Sequence, residues 1–85
     1  MNLIPSNRYY RDLGKLEKKN ERLKKAIVKT MGRLQDNPSH PSLRLHKLSG
    51  QSVYSISVTM NIRIIIAFRG DDIYLLSVGS HEDVY

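Results

Sequence analysis

Two histidines, two cationic side chains and a tyrosine, namely His46, Lys47, Arg63, His81 and Tyr85, are the residues of this chain whose types could do chemistry together. They offer an acid, a base and groups that neutralise phosphate without needing a metal. That set suits RNA cleavage. A base would deprotonate the ribose 2′-OH, cations would stabilise the charged pentacoordinate phosphate, and an acid would protonate the departing 5′ oxygen. DNA lacks this internal nucleophile. The C-terminal stretch Gly79-Ser80-His81-Glu82-Asp83-Val84-Tyr85 puts a titratable ring beside a phenol at the exit of an apolar strand. Arg63 stands alone among isoleucines in Ile62-Arg63-Ile64-Ile65-Ile66, which points to a negatively charged partner. The plainer alternatives are a frayed tail over residues 80–85 and a structural role for His46.

Other chemistries have little support. His40, His46 and His81 are not spaced as a local metal site, so neither metal nor cofactor is expected. There is no cysteine, which excludes disulfides and thiolate nucleophiles and suits a reducing cytosol. Phosphate-cradling glycine motifs, a Gly-x-Ser-x-Gly elbow and interleaved aromatic platforms are all missing. The Arg69-Gly70-Asp71 tripeptide reads as a turn rather than an adhesion motif.

The elements that must position these residues fit one domain over residues 1–85, with room for a single thin core. No apolar run approaches the roughly 20 residues that span a bilayer, and the start lacks a secretion signal, so a cytoplasmic protein without a membrane partner is expected. The formal charge of +6 falls within residues 1–30, and the rest of the chain is neutral. A basic helical half could contact phosphates or an acidic partner, with salt sensitivity to match, or could be a solvated face.

Tyr9, Leu13, Leu16, Leu23, Ile27, Thr30 and Leu34 recur at helical steps over residues 6–36, with Ser6 as the N-cap. The phase runs straight through Asn20. One helix of about 30 residues would run about 45 Å and leave its apolar stripe uncovered, so a hairpin turning near Asn20 is favoured. Asn37-Pro38 and His40-Pro41 then stop the helix. Val53 to Met60 alternates, with Tyr54, Ile56, Val58 and Met60 on one face and Ser55, Ser57 and Thr59 on an open one. Ile62 to Phe68 and Ile73 to Val78 complete the strands, and Arg63 points to the serine side. Helices followed by meandering strands give an α+β fold with the helices on one sheet face.

With these residues in place, the chain resembles the RelE/ParE superfamily of type II toxin-antitoxin toxins, in particular its histidine-bearing, YafQ-type branch of RelE-like mRNA interferases. The resemblance rests on Arg11-Asp12-Leu13, Asn37-Pro38, His46-Lys47-Leu48-Ser49-Gly50, Arg63-Ile64-Ile65-Ile66 and Val78 to Tyr85. It implies a RelE-like hairpin of two antiparallel helices on a curved antiparallel sheet of three to five strands. It also implies ribosome-dependent mRNA cleavage in the A site and neutralisation by a cognate antitoxin, expected to be acidic. The toxin would be monomeric or part of a toxin-antitoxin hetero-oligomer.

Carried over by motif, Arg63 would stabilise phosphate, His81 would transfer a proton, Tyr85 would orient the reacting groups and His46 would be a second acid/base or phosphate ligand. Arg44, Lys47, Ser55, Ser57, Arg69, Lys24 and Lys25 are the expected RNA contacts. The chain departs from the family in having Ser55 and Ser57 where some members carry alternating lysines, and Val58 and Asn61 near a further histidine and aspartate of the histidine branch. The ParE branch of the same fold inhibits DNA gyrase, and a non-catalytic RNA- or antitoxin-binding member is the third alternative.

Overall fold

The computed structural model describes residues 1–48 and 52–80. In chain order it contains β1 (Asn2–Pro5), α1 (Asn7–Glu17), α2 (Glu21–Asp36), a 3-10 turn (Pro41–Leu43), β2 (His46–Lys47), β3 (Val53–Ser57), β4 (Ile62–Arg69) and β5 (Asp72–Ser80). The strands form one sheet in the order β1-β5-β4-β3-β2. All neighbours are antiparallel except β1, which runs parallel to β5 from Asn2 opposite Asp72 to Pro5 opposite Leu75.

The helical hairpin turns where the sequence places it. Ser6 caps α1 by accepting the Tyr9 N–H at 3.0 Å, and Asn20 caps α2 by accepting that of Leu23 at 3.1 Å. The inward stripe of α2 is Leu23, Ile27, Thr30 and Leu34, all buried. Thr30 is tolerated there because its hydroxyl donates back to the Ala26 carbonyl at 2.8 Å. Ser6 also ties the start of α1 to β5, since its hydroxyl donates to the Leu76 carbonyl at 2.8 Å and its N–H to that of Leu75 at 2.9 Å. The core lies between the helices and one sheet face, where Ile56, Ile64, Ile66 and Ile73 have no exposed surface.

Three features depart from expectation. The parallel edge strand β1 makes the sheet mixed rather than purely antiparallel. The strand expected from Val53 to Met60 stops at Ser57, because polar side chains take the backbone out of the ladder. Thr59 Oγ1 accepts the Ile62 N–H at 3.1 Å, Ser57 donates to the Thr59 carbonyl at 3.0 Å, and Met60 is left 93% exposed in the turn. In β5, finally, the register against β4 shifts between Ile65 and Ile66. Leu76 is the extra residue of this bulge, so inward positions run Ile73, Leu75 and then Val78, and Ser77 is kept off the helix-facing side. The β4–β5 hairpin closes on two residues, with Gly70 at a φ of 60° as the first position of such a loop demands.

Tyr9 gives the packing a measurable signature. Only 3% exposed, its phenol is pushed from 10.0 up to about 12, first by burial and then by the negative charge of Glu17 and by Tyr10. The folded chain keeps this proton between about pH 10 and 12, where the unfolded chain has released it. Stability therefore falls as pH rises through that window, by an amount on the order of 2 kcal/mol. Tyr9→Phe should flatten that loss in urea titrations made at successive alkaline pH values.

Candidate functional site

The sheet face turned away from the helices is built from cross-strand rows. Ser57, Arg63 and Gly79 form one row; His46, Ser55, Ile65 and Ser77 form the next; Val53, Ala67 and Tyr74 form a third. Arg63 is on this face because β4 alternates: Ile62, Ile64, Ile66 and Phe68 pack toward the helices, so the arginine between them points away.

Its guanidinium is held in a defined pose. Nε and Nη2 donate to Ser55 Oγ at 3.1 and 3.0 Å, and Nη2 also donates to the Arg44 carbonyl at 3.0 Å. That carbonyl is aimed by a left-handed backbone at Arg44, with φ 48° and ψ 52°, at the end of the 3-10 turn. A non-glycine residue in this region stores strain, which the surrounding contacts must overcome. The turn is itself braced by His40, whose Nδ1 accepts the Ser42 N–H at 3.1 Å. This assigns His40 a local capping role. Among the described residues no carboxylate forms an ion pair with Arg63; the ion pairs there are Arg8–Asp12 and Lys24–Glu21. Among the described residues the charge of Arg63 thus meets no carboxylate, and Nη1 takes part in none of the bonds to Ser55 and Arg44.

His46 stands on β2 directly opposite Ser55 and is exposed. Ser55 thus neighbours two of the residues expected to do chemistry, His46 across the strands and Arg63 through its hydroxyl. Ser55 is fully buried, so its hydroxyl serves to hold Arg63 rather than to lie open on the surface as the alternation suggested. Ser57 spends its hydroxyl on the Thr59 carbonyl. Lys47 pairs with Tyr54 and so falls on the other side of the ribbon from His46. Arg69 is exposed at the hairpin end of β4, six residues from Arg63 and on the same face. Lys24 and Lys25 lie on α2, across the sheet from Arg63, and Lys24 pairs with Glu21 at 3.3 Å. His81 and Tyr85 lie outside the described residues. Among the described residues there is no group of three or more His, Cys, Asp or Glu able to hold a metal ion, and no helix long and apolar enough to cross a membrane.

Two positioning roles escape a reading of the sequence, which names Asp12 only within a motif and Arg44 only as an RNA contact. Asp12 accepts the Val78 N–H at 3.4 Å, which satisfies the edge of β5 past the end of β1 and sets α1 against the strand that follows the bulge. Arg44 acts through its main chain. Neither a carboxylate in a basic helix nor a left-handed arginine has a periodicity to betray it.

Known proteins share this architecture. The chain superposes on a metal-bound toxin from Helicobacter pylori, with 21% identity, 100% of this chain and 99% of that one covered and a TM-score of 0.82. The Escherichia coli DinJ–YafQ toxin structure matches at 17% identity over 99% of this chain and 97% of that one, TM-score 0.81. A YoeB/ParE toxin from Agrobacterium tumefaciens matches at 15% identity over 95% and 99%, TM-score 0.78. At such identities the likeness is one of fold. No curated protein matches the chain. The sequence profile of a family described as the ParE toxin of the type II toxin-antitoxin system, parDE, matches residues 3–85, and the chain therefore belongs to that family of RelE/ParE-superfamily toxins.

Proposed function

We propose that this toxin cuts mRNA in the ribosomal A site, by metal-independent attack of a ribose 2′-OH on the adjacent phosphate. The observation that carries this reading is the posed guanidinium of Arg63, without a carboxylate partner among the described residues, on the same sheet face as His46, with Ser55 between them. Arg63 donates to the non-bridging oxygens as charge builds on the phosphorus. His46 exchanges a proton with the 2′-oxygen or the leaving 5′-oxygen, and His81 and Tyr85 complete the set as the second acid/base and the orienting phenol. A small basic protein supplies only part of an RNA-binding surface, which is why the ribosome presents the message. The YafQ-type histidine branch is favoured over the lysine-based scheme because Ser55 and Ser57 occupy the alternate strand positions. The partner in the cell is a cognate antitoxin with an acidic, amphipathic segment, as YafQ is paired with DinJ. The toxin acts in the cytoplasm.

Primer extension on a defined mRNA in a purified translation system tests the reading. Wild-type protein should produce A-site cuts, and His46→Ala should slow them about a hundredfold, the lower end for a positioned acid or base. His81→Ala should do likewise. The family match keeps one alternative in view, a ParE-like inhibitor of gyrase. Intact mRNA together with blocked DNA supercoiling would establish that alternative in place of cleavage.

A further inference from the structure

The third row of the outward sheet face has no part in the site just described. Val53 on β3 and Tyr74 on β5 flank Ala67 on β4, directly across the strands from one another. Because the middle residue is only a methyl, the row sinks into an open concavity of about 630 Å³, to which Leu76 contributes from the bulge. Two strand spacings separate Val53 from Tyr74, about 10 Å between backbones, which leaves room for one planar ring over Ala67 in contact with both. Arg69 stands at the lip, and among the described residues no carboxylate lines the cavity.

We infer that this slot is a nucleobase subsite, in which an unpaired RNA base stacks on Tyr74 while its phosphate meets Arg69. The inference rests on the mRNA-cleaving reading above and extends it along the substrate. Arg63 and Ala67 are four residues apart on β4, about 13 Å, so a single strand laid along β4 with one phosphate at Arg63 brings a nearby base over the slot. Charge favours this occupant over a protein. Cations stand at both ends of the path, and one slot is too small to support a stable protein interface alone. Stacking on an aromatic ring is tolerant of sequence, so Tyr74 sets affinity and strand register more than base identity.

The test is an amide-NMR titration of the full chain with an uncleavable 2′-O-methyl RNA hexamer. Wild-type shifts should change at Val53, Ala67 and Tyr74, and Tyr74→Leu should weaken binding about tenfold while Tyr74→Phe stays within about twofold of wild type. An abasic hexamer scan should reproduce the Tyr74→Leu loss at one position, and the two losses should not add. Absence of binding overturns the inference, as does unchanged affinity in a folded Tyr74→Leu variant. So do perturbations confined to the Arg63 row, or a Tyr74→Leu effect on self-association with none on RNA. The cleavage reading fails separately, if wild-type protein leaves mRNA intact in primer extension whatever the hexamer does.

Discussion

Arg63→Ala should lower single-turnover cleavage of ribosome-bound mRNA by about 10³-fold, with little change in fold. The guanidinium faces away from the core, so its removal leaves the packing of Ile62, Ile64 and Ile66 against the helices intact. What is lost is a cation already oriented before substrate arrives, and donors aimed at developing charge are commonly worth about 10² to 10³ in rate. Arg63→Lys separates charge from geometry. An ammonium cannot bond Ser55 through two nitrogens and reach the Arg44 carbonyl as the planar fork does, so it should recover no more than about a tenth of the wild-type rate. Quenched-flow assays on programmed ribosomes would read both variants, with circular dichroism melts reporting the fold. Full recovery by lysine would mean that charge alone suffices and that the pose built by Ser55 and Arg44 is idle.

Ile64→Ala should be the most damaging single core substitution for stability. Ile64 is completely buried in the central strand, paired with Ile56 on one side and Val78 on the other. Removing three carbons there forfeits transfer free energy and leaves a cavity that three strands and the helices cannot all close, a loss of roughly 3–4 kcal/mol. A domain of this size has about 5–15 kcal/mol in total, so the melting temperature should drop by about 15–25 °C. Ile65→Ala next to it is a useful comparison. Its side chain lies on the outward face and is still 9% exposed, so calorimetry should show a smaller loss.

The contrast between those two isoleucines shows what the sequence could reveal. Alternation in Ile62 to Phe68 was enough to sort inward from outward residues and to single out Arg63, because a period of two survives wherever one face is buried. The cap Ser6, the turn near Asn20 and the four inward positions of α2 were legible for the same reason, each following from a local rule, whereas the capping role of Asn20 emerged only in the structure. Features set by distant partners were not. Asn2 to Pro5 is too short and ends in proline, and it becomes a strand only because β5 offers it an edge. The Leu76 bulge resets the phase of β5 without leaving a mark in composition. Arg63 could be named as a candidate, but the Ser55 hydroxyl and Arg44 carbonyl that pose it could not, since one looked solvent-facing and the other needs a backbone conformation that arginine seldom adopts.

The parallel pairing of β1 with β5 also dictates an order of events. Residues some 70 positions apart must meet before the sheet is complete, as the Asn2–Asp72 side-chain bond illustrates. Closing so long a loop costs entropy that only the finished core returns. While the chain is being made, the helical hairpin emerges early with its apolar stripe bare, and β4 has no neighbour on its β5 side until the last strand arrives. The pose of Arg63, by contrast, draws only on Arg44, Ser55 and β4 itself, all of which precede β5 in the chain. A chain halted before β5 would therefore leave β1 and β4 without the partner they share, the helical hairpin without half of the sheet it covers, and only the Arg63 corner in place.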